Sequence, residues 1–195
     1  MPVDHPVSAG DHARVIAEIR QWLEIAVIGL NLCPFAKSVY VRQQIRYVVS
    51  DAASSAELRN HLQQELRFLA ECNADQVDTT LLIVSTLLAD FFAFNDFLRN
   101  ADRLIVKLGL QGTLQIASFH PRYQFTDSAL DDIENFTNRS PYPILHLLRE
   151  SSIDRAVAAL PDADAIVDRN IATLRQLGRS GWDALGLPAA PSVEE

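Results

Sequence analysis

Lysine and cysteine are scarce in this sequence, glycine is thinly spread, and no long apolar run occurs. Only Lys37 and Lys107 are lysines, and the formal net charge is −8. A protein that grips a nucleic-acid backbone gains most of its affinity from cations that neutralise phosphates. An acidic chain without a Lys/Arg run lacks that contribution, so no nucleic-acid partner is expected. The remaining positive charge is arginine, which suits planar, bidentate recognition of carboxylate or phosphate. A small anionic partner therefore stays open. Cys33 and Cys72 are the only cysteines, and they lie about forty residues apart, which is neither a disulfide framework nor a Cys-x-x-Cys pair. The seven glycines form neither a Walker A loop nor a GxGxxG turn. A Gly-x-Ser-x-Gly elbow is also missing. No stretch of about 18 apolar residues exists to span a membrane. Met1 to Asp11 lacks the layout of a signal peptide. A cytoplasmic, reducing setting with no membrane partner is the expectation.

What is there is ordinary for a globular chain. Hydrophobic residues make up 48% and charged residues 22% of 195 positions. That length suits a single domain. The expected layout is a flexible arm over 1–11, one α/β domain over 12–187, and a flexible tail over 188–195. No repeat or linker interrupts it.

Periodicity supplies the elements. Val15, Ile16, Ile19, Trp22, Leu23, Ala26, Val27 and Leu30 keep the three-and-four spacing of an amphipathic helix. Asp11 is its expected N-cap, and Pro34 ends it. Residues 45–50 read as a strand, 56–72 as a helix, and 79–86 as a strand buried on both faces. Asp90 caps a helix that Gly109 stops, and 113–119 reads as a third strand. Next comes an irregular segment over 120–142, with a short helix at 128–136. Ser140-Pro141 looks like an N-cap followed by proline at the first helical position. Residues 141–149 are therefore expected to be helical, with a fourth strand at 144–149 as the open alternative. Ser151 or Ser152 should cap a helix to Leu160, and 163–177 should form the last one, ended by Gly178. Trp182 is expected to dock its ring. The predicted fold is α/β, with a three-stranded (alternatively four-stranded), mostly parallel or mixed sheet and flanking helices.

Four segments could carry chemistry. In Gly29–Lys37, Cys33 sits at a junction. At the carbonyl end of a helix its thiolate would be disfavoured. As the cap of a new helix at Pro34, beside Lys37, it would be a usable nucleophile. A buried structural cysteine is the bland reading. The segment Phe119–Phe125 follows a strand's carboxyl end, where open α/β sheets bind ligands. There His120 could shuttle protons and Arg122 could fork onto an anion. Alternatively, both pin the loop to neighbouring carbonyls. In Asn138–His146, helix amides behind Arg139 and Ser140 would form an anion site, with His146 and Arg149 on one helical face. Simple capping competes with this. Arg169-Asn170 is a weaker pair, since helical arginines usually meet acids such as Asp164 or Asp168 at little energetic gain. Cys33, His120 and His146 are metal-ligand types, but their spacing supports no metal site. His5, His12 and His61 are scattered.

Together, GLNLCPFAK (29–37), SFHPRYQF (118–125), NRSPYPILHLLRE (138–150) and RNIATLRQLG (169–178) resemble a mostly bacterial family, domain of unknown function 1415. The resemblance spans roughly Arg14 to Trp182. It implies that Asn31, Cys33, Pro34, His120, Pro121, Arg122, Tyr123, Gln124, Asn138, Arg139, Ser140, Pro141, His146 and Arg149 belong to the family's hallmark. It implies no activity and no cofactor. Thr126 stands where relatives often carry a small residue.

The favoured expectation is an enzyme acting on a small carboxylate or phosphate metabolite. His120 would be its acid/base, Arg122 and Arg139 its anion clamp, and Cys33 an optional nucleophile for thiol-dependent transfer or hydrolysis. Asn31, Tyr123 and Gln124 would orient the substrate. The alternative is a non-catalytic module binding a small ligand or a protein. A third reading makes the motifs buried structural networks. The sequence sets neither the oligomeric state nor whether the motifs converge on one pocket.

Overall fold

Thr79–Val84 forms strand β2, and all six of its residues are buried. A continuous β-branched and leucine run of this kind needs apolar layers on both faces, and the chain provides them. The computed structural model describes residues 9–159 and 165–189. Besides β2, the strands are β1 (Ile45–Ser50), β3 (Leu114–Phe119) and β4 (Ile144–Arg149). They form one mixed sheet in the order β1-β2-β4-β3. β1 runs parallel to β2, while β4 is antiparallel to both β2 and β3. The last strand thus slots between β2 and β3.

The helices are α1 (Ala9–Trp22), α2 (Ala36–Val41), α3 (Ser55–Glu71), α4 (Phe91–Leu108), α5 (Glu150–Ala158) and α6 (Ile166–Asp183). α1 continues as a π-helical segment over Leu23–Ile28. Local chemistry sets several boundaries. The Ser54 hydroxyl accepts from the Glu57 amide at the start of α3, and Asp90 accepts from the Ala93 amide at the start of α4. Gly109 ends α4 with φ 70°, a left-handed conformation that suits glycine.

Leu58, Leu62, Leu66 and Leu69 of α3 and Phe94, Phe97 and Leu104 of α4 pack on one face of the sheet, against Leu82, Leu145 and Leu147. Each fully buried leucine contributes about 1.5–3 kcal/mol. Val15, Ile19, Trp22 and Leu23 cover the other face, over Leu81, Ile83 and Ile144. Among the described residues, no helix is long and apolar enough to cross a membrane.

Several expectations need correction. Residues 144–149 are strand, not helix, so the Ser140-Pro141 pair caps nothing. The Ser140 hydroxyl donates to the Tyr142 carbonyl instead. α1 begins at Ala9, which puts Asp11 in its first turn rather than at its cap. The expected 128–136 helix is a 3-10 turn at Ile133–Thr137. α5 starts at Glu150 with no side-chain cap bond, so neither Ser151 nor Ser152 caps it. Gly178 (φ 66°, ψ 174°) does interrupt the helix as expected, but a second helical stretch follows it, so α6 as a whole extends to Asp183. Residues 1–8 of the expected arm, residues 190–195 of the tail, the Leu160 and Ala163 helix ends and Asp164 lie outside the described residues.

Candidate functional site

The loop that follows β3 is built around two buried polar side chains. His120 has 0% of its surface exposed. Its Nε2 is 2.9 Å from the Leu88 carbonyl, and its Nδ1 accepts from the Arg122 amide at 3.0 Å. A carbonyl only accepts and an amide only donates, so the proton sits on Nε2. Phe91 and Phe94 of α4 pack against the ring at 5.2 and 5.0 Å. Burial pushes its pKa below the usual histidine value, and the Leu88 bond offsets part of this. Leu88 itself has φ 61°, so the imidazole holds a strained carbonyl in place.

Asn135 is the second anchor, and sequence reasoning passed it over. It is fully buried. Its Oδ1 accepts from the Phe125 amide (3.0 Å) and the Ser128 hydroxyl (2.6 Å). Its Nδ2 donates to the Ala129 and Leu130 carbonyls at 2.7 and 3.3 Å. The signal was indirect. A long segment without regular structure must satisfy its own backbone, and a short amide side chain is the usual means. Gln124 adds a bond from Nε2 to the Ser128 carbonyl. Tyr123 lies between the rings of Phe91 and Phe125. Arg122 is exposed, and its guanidinium meets no hydrogen-bond or ion-pair partner among the described residues.

The Asn138–Pro143 segment ties this loop to the sheet and to α1. Asn138 donates to the Ser118 carbonyl (3.1 Å), and its own carbonyl accepts from the His120 amide (3.1 Å). Arg139 donates through Nε to the Tyr123 carbonyl (3.2 Å) and through Nη2 to the Leu130 carbonyl. Its carbonyl accepts from the Trp22 indole at 3.0 Å. His146 and Arg149 lie an odd number of residues apart on β4, so they face opposite sides of the sheet. This overturns the shared helical face. His146 Nε2 is 2.7 Å from the Thr79 hydroxyl, which donates to the Leu147 carbonyl. Burial takes its pKa down to about 4. Arg149 donates to the Cys72 and Val77 carbonyls, with the Cys72 sulfur 3.2 Å away. The expected helix N-terminus behind Arg139 does not form.

In the first motif, Asn31 is exposed with φ 54°. Cys33 is partly buried against the α1 side of the sheet. The amides of Phe35 and Ala36 reach its sulfur, but α2 begins at Ala36 with Phe35 at its cap, so Cys33 does not cap a helix starting at Pro34. Burial outweighs those amides and raises the thiol pKa. Asn170 of α6 donates to the Leu32 carbonyl at 2.8 Å, fastening this turn to the last helix.

The motif residues divide among three clefts. Asn31 lines one of about 290 Å³ against α6, with Pro34, Arg169 and Asn170. Tyr123 and Gln124 line one of about 650 Å³ against α4. Arg139 and Ser140 line one of about 370 Å³ with Trp22, Pro121, Phe136, Arg179 and Trp182. Cys33, His120, Arg122, Asn138, His146 and Arg149 line none of the three. The motifs are thus linked through backbone bonds, while their side chains diverge.

The third cleft brings together two guanidinium groups and one carboxylate, Asp183. The guanidinium groups of Arg139 and Arg179 both lie against the Phe136 ring, at 4.3 and 5.2 Å from its centroid. Trp182 meets the same ring edge-on at 5.0 Å. Burial lowers the Arg139 pKa first and the nearby Arg179 charge second, with Asp131 opposing. Arg179 also pairs with Asp183 at 2.9 Å. No group of three His, Cys, Asp or Glu side chains able to hold a metal ion occurs among the described residues. The model of a family described as "Protein of unknown function (DUF1415)" matches residues 14–184. No curated protein and no solved structure matches the chain.

Proposed function

The chain belongs to this family of unknown function, and we propose that it binds a small anion that carries a flat apolar ring, an aryl carboxylate or aryl phosphate. The observation that carries the reading is the pair of arginines against Phe136. Two like charges held on one ring repel each other; Asp183 answers the Arg179 charge, and an anion in the cleft would answer that of Arg139. Guanidinium groups fork onto carboxylate and phosphate oxygens. The surrounding walls are Trp22, Trp182, Pro121 and Pro141, which suit a planar apolar body. A volume of about 370 Å³ falls in the range of small-molecule sites.

Binding rather than turnover is the reading favoured by the lining. Among the described residues, the cleft walls include no histidine and no cysteine. His120, expected as the proton shuttle, has both ring nitrogens engaged by backbone groups, the Leu88 carbonyl and the Arg122 amide. A reducing, cytoplasmic setting is part of the proposal, supported by two unpaired thiols.

Calorimetric titration with phenyl phosphate, and with phenol as the neutral comparison, tests it. Phenyl phosphate should bind saturably and phenol should not. Arg179→Gln should weaken binding about tenfold, or about 1.4 kcal/mol. Equal binding of phenol, or an unaffected Arg179→Gln variant, would count against the arginine clamp. Phenyl phosphate should be recovered intact. Steady release of phenol that Arg179→Gln abolishes would replace the binding reading with the enzymatic one.

A further inference from the structure

The largest of the three clefts has an unusual surface for a chain of this charge. Phe92, in the first turn of α4, is 79% exposed, and Phe125 across the groove is 40% exposed. Isolated exposed apolar residues are ordinary, but a contiguous aromatic patch beside a groove marks an interaction site. Here Phe91, Tyr123 and Phe125 form a continuous run, and Phe92 lines the same groove. Phe91 meets Tyr123 at 5.3 Å, and Tyr123 meets Phe125 at 5.0 Å. It is also held rigid from below. The Tyr123 amide bonds to the His120 carbonyl, and the Phe125 amide bonds to the buried Asn135. The sealed His120 and Asn135 therefore serve to present these rings.

The charge beside the rings is negative. Asp96 and Asp102 line the groove, and its single cation, Arg99, is tied to Asp96. Asp102 has no hydrogen-bond or ion-pair partner among the described residues. We infer that the groove between α4 and residues 123–126 is a docking surface for a cationic segment of a partner protein, one that alternates arginine or lysine with apolar side chains. Aromatic faces attract guanidinium and ammonium groups, and Asp102 supplies the opposite charge. Apolar residues of the segment would cover Phe92. A second copy of this chain fits less well, because a two-fold contact would set like carboxylates face to face. Phosphate backbones meet the same repulsion.

The test uses the full chain and a short labelled peptide that alternates arginine with leucine, followed by fluorescence anisotropy. A glutamate–leucine peptide is the control. The arginine peptide should bind saturably and the glutamate peptide should not. Phe92→Ser and Asp102→Asn, both at exposed positions, should keep the parental circular dichroism and each weaken binding about fivefold. No saturable binding, or equal binding of the two peptides, overturns the proposal. So does a Phe92→Ser variant that binds like the parent, since bulk charge would then explain the attraction. Concentration-dependent self-association that Phe92→Ser abolishes overturns it in favour of a second copy.

Discussion

Mild acid should destabilise this protein through His146. In the folded chain its Nε2 donates to the Thr79 hydroxyl, whose proton is committed to the Leu147 carbonyl. Burial disfavours the charged ring and lowers its pKa from 6.5 to about 4. The unfolded chain takes up a proton below about pH 6.5, whereas the folded chain does so only near pH 4. Between those values the unfolded state binds more protons, so stability falls as pH falls. A difference of about 2.5 units corresponds to at most about 3 kcal/mol. The residue as a whole is only partly buried, which puts the expected loss nearer about 2 kcal/mol. That is a large part of a typical domain stability of about 5–15 kcal/mol. His120 shifts in the same direction and adds to the loss. Urea unfolding, followed by far-ultraviolet circular dichroism, reads the effect at neutral pH and near pH 4.5. His146→Gln keeps an amide donor for Thr79 but cannot titrate. The variant should lose about 2 kcal/mol less than the parent over this interval. If parent and variant lose the same amount, His146 is not the source and the reasoning fails.

Other consequences follow from single contacts. Asn135→Ala removes a hub that serves four backbone and side-chain partners, and should cost about 2–4 kcal/mol in urea unfolding; a cost under about 0.5 kcal/mol would mean the loop is held elsewhere. At Gly29 an added Cβ would lie 2.2 Å from the Ile25 carbonyl oxygen. Gly29→Ala should thus force the end of the π-helical segment to shift and lower stability by about 1–3 kcal/mol; an unchanged urea midpoint would contradict that close approach. In a Cys72→Ser background, Cys33 should react with a thiol-specific reagent more slowly in the folded state than in urea, because burial raises its pKa. Equal rates would show an accessible thiol instead.

Much of the fold was legible because local chemistry and periodicity agreed. Asp90 and Gly109 bracket α4 as the sequence implied, and the β-branched run at Thr79–Val84 is the buried strand it resembled. β4 was ambiguous for a physical reason. Ile144, Leu145 and Leu147 are all buried because the strand is central, with apolar layers on both faces, so no alternation shows. Ser140-Pro141 then favoured helix, although the Ser140 hydroxyl was committed to Tyr142.

The candidate site was legible only in its residue types. Arg139 was singled out from its own segment. Its companions Phe136, Arg179 and Trp182 come from the 3-10 turn and from α6 beyond the kink at Gly178, where the sequence showed a helix stop. His120 looked like a proton shuttle because nothing near it in sequence reveals that Leu88, Phe91 and Phe94 enclose it. Such long-range partners leave no local pattern. The same holds for the odd spacing of His146 and Arg149, which separates them only once that segment is a strand.

The central claim is that Arg139 and Arg179 make an anion-binding cleft. The chain has two tryptophans, Trp22 and Trp182, and both line that cleft. A two-dimensional ¹⁵N–¹H spectrum therefore gives two indole resonances that report on this one place. Titration with phenyl phosphate should shift both indole signals saturably. The shifts should disappear in Arg179→Gln, while phenol should leave both signals in place. Indole signals that stay fixed under phenyl phosphate, or that move equally with phenol, would contradict the account.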